Sequence, residues 1–130
     1  MWLRYLEQTR QAGDGSEVRA LPAFTQGVEE FNSGRYFQSH ETWEAAWRET
    51  GYPARLFLLA LTKLGAGFAH IERANTAGAH HALAQGLRCL NAFPNSYAGV
   101  DVAGLSQRVR LQLSPPQDEP PQPPQIRFTS

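Results

Sequence analysis

The sequence predicts an all-α fold: a bundle of about five to six helices packed as antiparallel α-hairpins, followed by a Pro-rich C-terminal tail. Three observations carry this. Apolar residues ahead of residue 114 recur at three- and four-residue intervals, with β-branched residues sparse and no long period-2 alternation. Gly- and Asn-rich breakers cut the chain into helix-length pieces. Six of the nine prolines fall within residues 115–124, a density that can neither propagate a helix nor donate to a sheet ladder.

The elements follow in order. A first helix is expected over about residues 1–12, with Trp2, Leu3 and Leu6 as its apolar side, before the Gly13-Asp14-Gly15-Ser16 breaker. A second runs from about Pro22 to Phe31, with Pro at an early position where its missing N–H costs nothing, and stops at Asn32-Ser33-Gly34. The third covers about Tyr36 to Glu49 and is closed by Gly51 in a left-handed cap. Pro53 opens the fourth, about 54–73, which is almost continuously apolar from Leu56 to Ile71 and must be surrounded by protein. It is too short an apolar run, with Lys63 near its middle, to read as a membrane span. Thr76 is the expected cap of a fifth helix, about 77–93, whose Ala79, Leu83, Gly86, Leu87, Leu90 and Phe93 mark a buried face. After a loop at Asn95–Gly99, Asp101 caps a last helix of about 102–113. Residues 1–114 thus form a single domain. The tail, 115–130, is either a disordered extension or a polyproline strap that pins Ile126 and Phe128 to the body.

Composition narrows the function classes. Twelve Lys plus Arg balance twelve Asp plus Glu, so no long-range field gathers phosphates or anionic lipid, and neither nucleic acid nor a membrane is expected as partner. One cysteine, Cys89, cannot close an intrachain disulfide, and no signal segment opens the chain. The expected setting is therefore reduced and cytoplasmic. Partners left open are a small ligand, another protein, or a second copy in a homodimer.

One polar constellation stands out. On the third helix Tyr36, His40, Trp43 and Trp47 form one stripe, and Phe37, Glu41, Glu44 and Arg48 the stripe beside it. On the fourth, Lys63, Gly67 and His70 share a stripe bordered by Ala66. Packed antiparallel, the two helices would face Lys63 and His70 toward His40, Glu41 and Glu44 across a shallow pocket roofed by Trp43 or Trp47. Two chemistries fit. His40, Glu44 and His70 could ligate a divalent metal, with Glu41 as general base on its water, making a metal-dependent hydrolase. Alternatively, Lys63 and Arg48 neutralise Glu44 and Glu41 in a structural network and no cofactor is needed. The second is preferred, because the Lys63 ammonium fills the cation's role and would repel a metal. His80 and His81 are adjacent, point about 100° apart and read as surface residues; Cys89 reads as a structural thiol.

The string from Phe31 to Arg48, F-N-S-G-R-Y-F-Q-S-H-E-T-W-E-A-A-W-R, followed by the Leu-rich helix ending in His70 and the Asn75-Thr-Ala-Gly-Ala79 turn, resembles the prokaryotic family called domain of unknown function 309. The resemblance covers about 28–113. It implies a small all-helical fold of antiparallel α-hairpins with no established activity, some members being labelled metal-dependent hydrolases on their His and Glu pattern. The matched positions are His40, Glu41, Trp43, Glu44, Trp47, Arg48 and His70. Family members usually carry Gln in place of Lys63 and commonly Gly in place of Ala74. The expected function is a non-catalytic binding or scaffold module, with the hydrolase as the alternative.

Overall fold

The computed structural model describes residues 13–114 and 123–129, so the expected first helix at 1–12 and the stretch 115–122 lie outside the described residues. Six helices are seen among them: α1 (Ser16–Arg19), α2 (Pro22–Asn32), α3 (Tyr36–Arg48), α4 (Ala54–Glu72), α5 (Thr76–Leu90) and α6 (Val102–Leu113). The all-α expectation holds, and neighbouring helices form antiparallel hairpins. Tyr36 at the start of α3 meets Phe68 near the end of α4, with ring centroids 5.4 Å apart. Gly67 of α4 meets Leu83 of α5, and Gly86 of α5 meets Leu64 and Ala60 of α4.

α4 is the axis of the bundle. It is the one described helix long and apolar enough to cross a membrane, but Leu56, Phe57, Leu58, Leu61, Leu64 and Phe68 are all enclosed by protein, which accounts for its apolarity without a bilayer. α2 buries Phe24, Gly27, Val28 and Phe31 at helical spacing. Phe31 is the hub of an aromatic cluster, its ring lying 5.1 Å from Tyr36, 5.6 Å from Phe68 and 5.9 Å from Trp43. Edge-on and tilted arrangements of this kind match the ring quadrupoles. A second cluster joins Phe57, Phe93 and Tyr97.

Several local expectations are corrected. Gly51 is not in a left-handed conformation; α3 ends at Arg48 with Glu49 as its cap residue, φ −101°, and Thr50 Oγ1 donates to the Ala46 carbonyl at 2.7 Å. A left-handed glycine does close α2: Gly34, φ +81°, where the Arg35 N–H reaches back to the Glu30 carbonyl. α5 is capped by Asn75, whose side chain accepts from the Gly78 N–H at 3.0 Å, rather than by Thr76. α5 also stops at Leu90, three residues before the expected end. Ala74 adopts φ +58°, a region costly for a residue with a Cβ. The expected Asn95–Gly99 loop is a miniature antiparallel hairpin, β1 (Ser96–Tyr97) with β2 (Val100–Asp101). Ala98 and Gly99 both have positive φ, the geometry of a two-residue turn that matches strand twist. Asp101 caps α6 as expected, accepting from the Gly104 N–H at 3.0 Å.

Of the two fates considered for the tail, residues 123–129 take the strap: Ile126 is 2% exposed and belongs to the core cluster.

Trp43 of α3 is fully buried and seated on Gly27 of α2. A Cβ at Gly27 would collide with the indole, while the indole Nε1 donates to the Phe24 carbonyl at 3.2 Å. Gly27→Ala should therefore lower stability by about 1–3 kcal/mol, the cost of overpacking a core. Gly51→Ala, with open space around its Cβ, should change it by less than about 0.5 kcal/mol. Urea unfolding measures both; equal stabilities would mean the indole does not sit on Gly27.

Candidate functional site

The rotation of α3 decides which side chains reach solvent. With Trp43 as the inward direction and about 100° per residue, Tyr36, Ser39 and Trp47 fall within about 40° of it. His40 lies at the border, about 60° away, and Glu44, Phe37, Arg48 and Glu41 follow further round. The burial agrees: Trp43 and Ser39 are buried, Tyr36, Trp47 and His40 half-buried, and Phe37, Glu41 and Arg48 exposed. The expected buried polar seam is thus an open helix face. A shallow depression on it is lined by His40, Glu41, Glu44, Ala45 and Arg48, all from α3.

The groups on this face are paired in a row. His40 Nε2 lies 3.3 Å from Glu44 Oε2, and Glu44 Oε1 accepts from Arg48 Nη2 at 2.9 Å. With side-chain exposures of 27%, 35% and 68% along the row, each i,i+4 pair contributes only about 0.3–0.5 kcal/mol. His40 Nδ1 is buried with no hydrogen-bond partner. That bears directly on metal ligation. A histidine that binds a metal through Nε2 normally gives its Nδ1 proton to an acceptor, and none is present here.

Lys63 and His70 are not brought to this row, which corrects the expected facing of the two helices. The α4 stripe against α3 is Gly65, Phe68 and Glu72. A Cβ at Gly65 would lie 2.9 Å from Ser39 Oγ and 3.2 Å from the His40 nitrogen, and the Glu72 carboxylate acts on the Tyr36 phenol. Gly67, on the Lys63–His70 stripe, faces Leu83 of α5 instead. Lys63 accordingly makes its electrostatic contact with Cys89 of α5, and no ion pair joins it to Glu41 or Glu44 among the described residues. His70 Nδ1 pairs with Asn75 Nδ2 at 3.2 Å in the turn after α4. Neither tryptophan roofs a pocket: Trp43 is enclosed, and Trp47 lies under the Arg55 guanidinium, 4.4 Å from its ring. Among the described residues no three His, Cys, Asp or Glu side chains are grouped to hold a metal ion. Of the candidate ligands, His40 and Glu44 lie together on α3, while His70 pairs with Asn75 in the turn after α4.

Two features escaped sequence reasoning. Glu30 is a buried carboxylate accepting from Thr42 Oγ1 at 2.7 Å; its place one residue before Phe31, on the buried side of α2, was the available signal. Phe37, 48% exposed, stacks on the His40 ring at 6.1 Å and 27°, with the Arg73 guanidinium 5.1 Å from its centroid. Arg73 comes from the far end of α4, and nothing local in the sequence announces that meeting.

The fold and the row of paired groups define a small helical-hairpin domain with an open polar helix face. Residues 24–82, from α2 into the middle of α5, match the family model of a domain of unknown function (DUF309). The matched region contains every residue of the α3 row and the His70–Asn75 turn. No curated protein matches the sequence.

Cys89 is fully enclosed. Burial pushes its thiol from the ordinary 9.0 up to about 11, against the opposing pull of Lys63 and Arg88. The folded state thus holds the proton more tightly than the unfolded chain, so this contribution to stability is intact below pH 9 and is lost as pH rises toward about 11. The urea midpoint should fall across that window, and Cys89→Ala should fall less. Parallel curves for the two proteins would show that the thiol is not protected by burial.

Proposed function

We propose that the domain is a non-catalytic binding module whose contact surface is the outer face of α3, centred on Phe37 and rimmed by His40, Glu41, Glu44 and Arg48, and that its partner is another protein. The observation that carries this reading is that every group around the depression comes from one helix, with His40, Glu44 and Arg48 already paired along it. Catalysis needs groups converging from several elements on a space that excludes water, and this face offers neither. It does offer a half-exposed aromatic ring held between an imidazole and a guanidinium. A pre-ordered aromatic beside Arg is the composition that anchors protein interfaces. A reduced, cytoplasmic setting goes with this reading, supported by the single enclosed thiol.

The alternative, a metal-dependent hydrolase using His40, Glu41, Glu44 and His70, would need His70 to leave Asn75 and would leave the His40 Nδ1 proton without an acceptor. Calorimetric titration of zinc and of manganese into the purified chain separates the two. The binding-module reading expects no saturable site in the wild type. A stoichiometric site that disappears in His40→Ala and in His70→Ala would overturn it.

A further inference from the structure

Residues 123–129 lie on the body as a bound peptide would. Their burial alternates: Pro124 and Ile126 are buried and Phe128 half-buried, while Pro123, Gln125, Arg127 and Thr129 face solvent, the period of an extended strand. The segment adds to the free edge of the hairpin. Val100 and Phe128 form an antiparallel bridge, the Asp101 N–H donates to the Arg127 carbonyl at 2.8 Å, and the Thr129 N–H donates to the Gly99 carbonyl at 2.7 Å. On the other side, the Asn32 side chain at the end of α2 pairs with both main-chain groups of one residue, Ile126. Its Nδ2 donates to the Ile126 carbonyl at 3.1 Å, and its Oδ1 accepts from the Ile126 N–H at 2.8 Å. Two seats take side chains. Ile126 enters the core, and Phe128 is held between the Phe24 ring, edge-on at 6.2 Å, and the Arg19 guanidinium, 3.6 Å over its face.

Main-chain pairing on a sheet edge, a carboxamide clamp and seats for alternate side chains together make a peptide-recognition site. We infer that the groove between the end of α2 and the β2 edge is such a site, and that its partner is an extended segment of another protein with an aliphatic residue followed two positions later by an aromatic one. The chain's own end occupies the groove as an intramolecular competitor. Nothing in the helical body depends on that occupancy for its hydrogen bonds: the main-chain contacts of 123–129 go to Asn32, Gly99 and Asp101, all of which lie at an element end or in a turn. The tether sets a high local concentration of the cis occupant, and a trans segment must outcompete it.

The test uses the full chain with its own end disabled, Ile126→Ser with Phe128→Ser. A fluorescein-labelled synthetic peptide of residues 123–130 should bind this chain saturably, at least about tenfold more tightly than it binds the wild type, whose groove is filled. Binding should vanish when Asn32→Ala is added, or when the peptide carries Ser in place of its Ile and Phe. A disabled chain that keeps its helical circular dichroism and does not bind the peptide overturns the inference. Should the disabled chain unfold, hydrogen exchange in the wild type decides. The amides of Asp101, Ile126 and Thr129 are expected to exchange far faster than those of α4, and exchange only through global unfolding would make the segment an inseparable part of the core. A wild-type dimer that forms with concentration and is lost in Phe128→Ser would assign the groove to ends swapped between copies, and would overturn the assignment to a separate partner.

Discussion

The seat of Trp43 on Gly27 sets the rotation of α3, and most of what this domain presents to solvent follows from that rotation. Among the described residues the indole is the largest fully buried side chain. It has one hydrogen-bond donor, satisfied by the Phe24 carbonyl, and it can approach α2 only because residue 27 has no Cβ. With this ring turned inward, Tyr36, Ser39 and Trp47 must follow it, and the acidic and basic side chains of α3 must turn outward. Burying Trp43 is worth several kcal/mol, whereas the whole His40–Glu44–Arg48 row contributes of order 1 kcal/mol. The aromatic wins, and the row takes the face that remains.

The same economy of space governs α4. Gly65 admits α3, and Gly67 admits Leu83 of α5, so α4 is held on two sides by contacts too close for any side chain to intervene. A small residue between polar ones can mark a pocket or a close helix crossing, and here both glycines mark crossings. Lys63 and His70 lie on the α5 side of that division. Their chemistry is local: Lys63 acts on the Cys89 thiol, and His70 completes the turn that carries Asn75, the cap of α5. The matched region of the family therefore spans two separate polar features, the α3 row and the turn after α4.

How far the sequence could be read depended on the range of the deciding interaction. The apolar run from Leu56 to Ile71 and the cap at Asp101 are local signals, and both elements appear where expected. The α3 row was legible as a row because i,i+4 spacing is local too. Its burial was not legible, since His40 sits at the border of the core and only the Gly27–Trp43 contact, sixteen residues apart, places it there. Whether α4 turned the Lys63–Gly67–His70 stripe or the Gly65–Phe68–Glu72 stripe toward α3 could not be told from spacing, because both carry a glycine that permits close approach. The hairpin at Ser96–Asp101 is too short to show a period, and its Ala98-Gly99 turn lacks the usual Asn or Asp. Ile126 and Phe128 announced themselves as apolar residues in a polar tail, but their receiver, Asn32, is 94 residues from Ile126.

The central claim is that α3 and α4 meet without bringing their charges together, so Glu44 and Lys63 act in separate environments. A double-mutant cycle with Glu44→Gln and Lys63→Met, read as urea unfolding free energies, tests it most directly. The geometry predicts additivity within about 0.5 kcal/mol, as for distant sites without shared partners. A coupling energy well above about 1 kcal/mol would place the two side chains in one network and contradict this account of the fold.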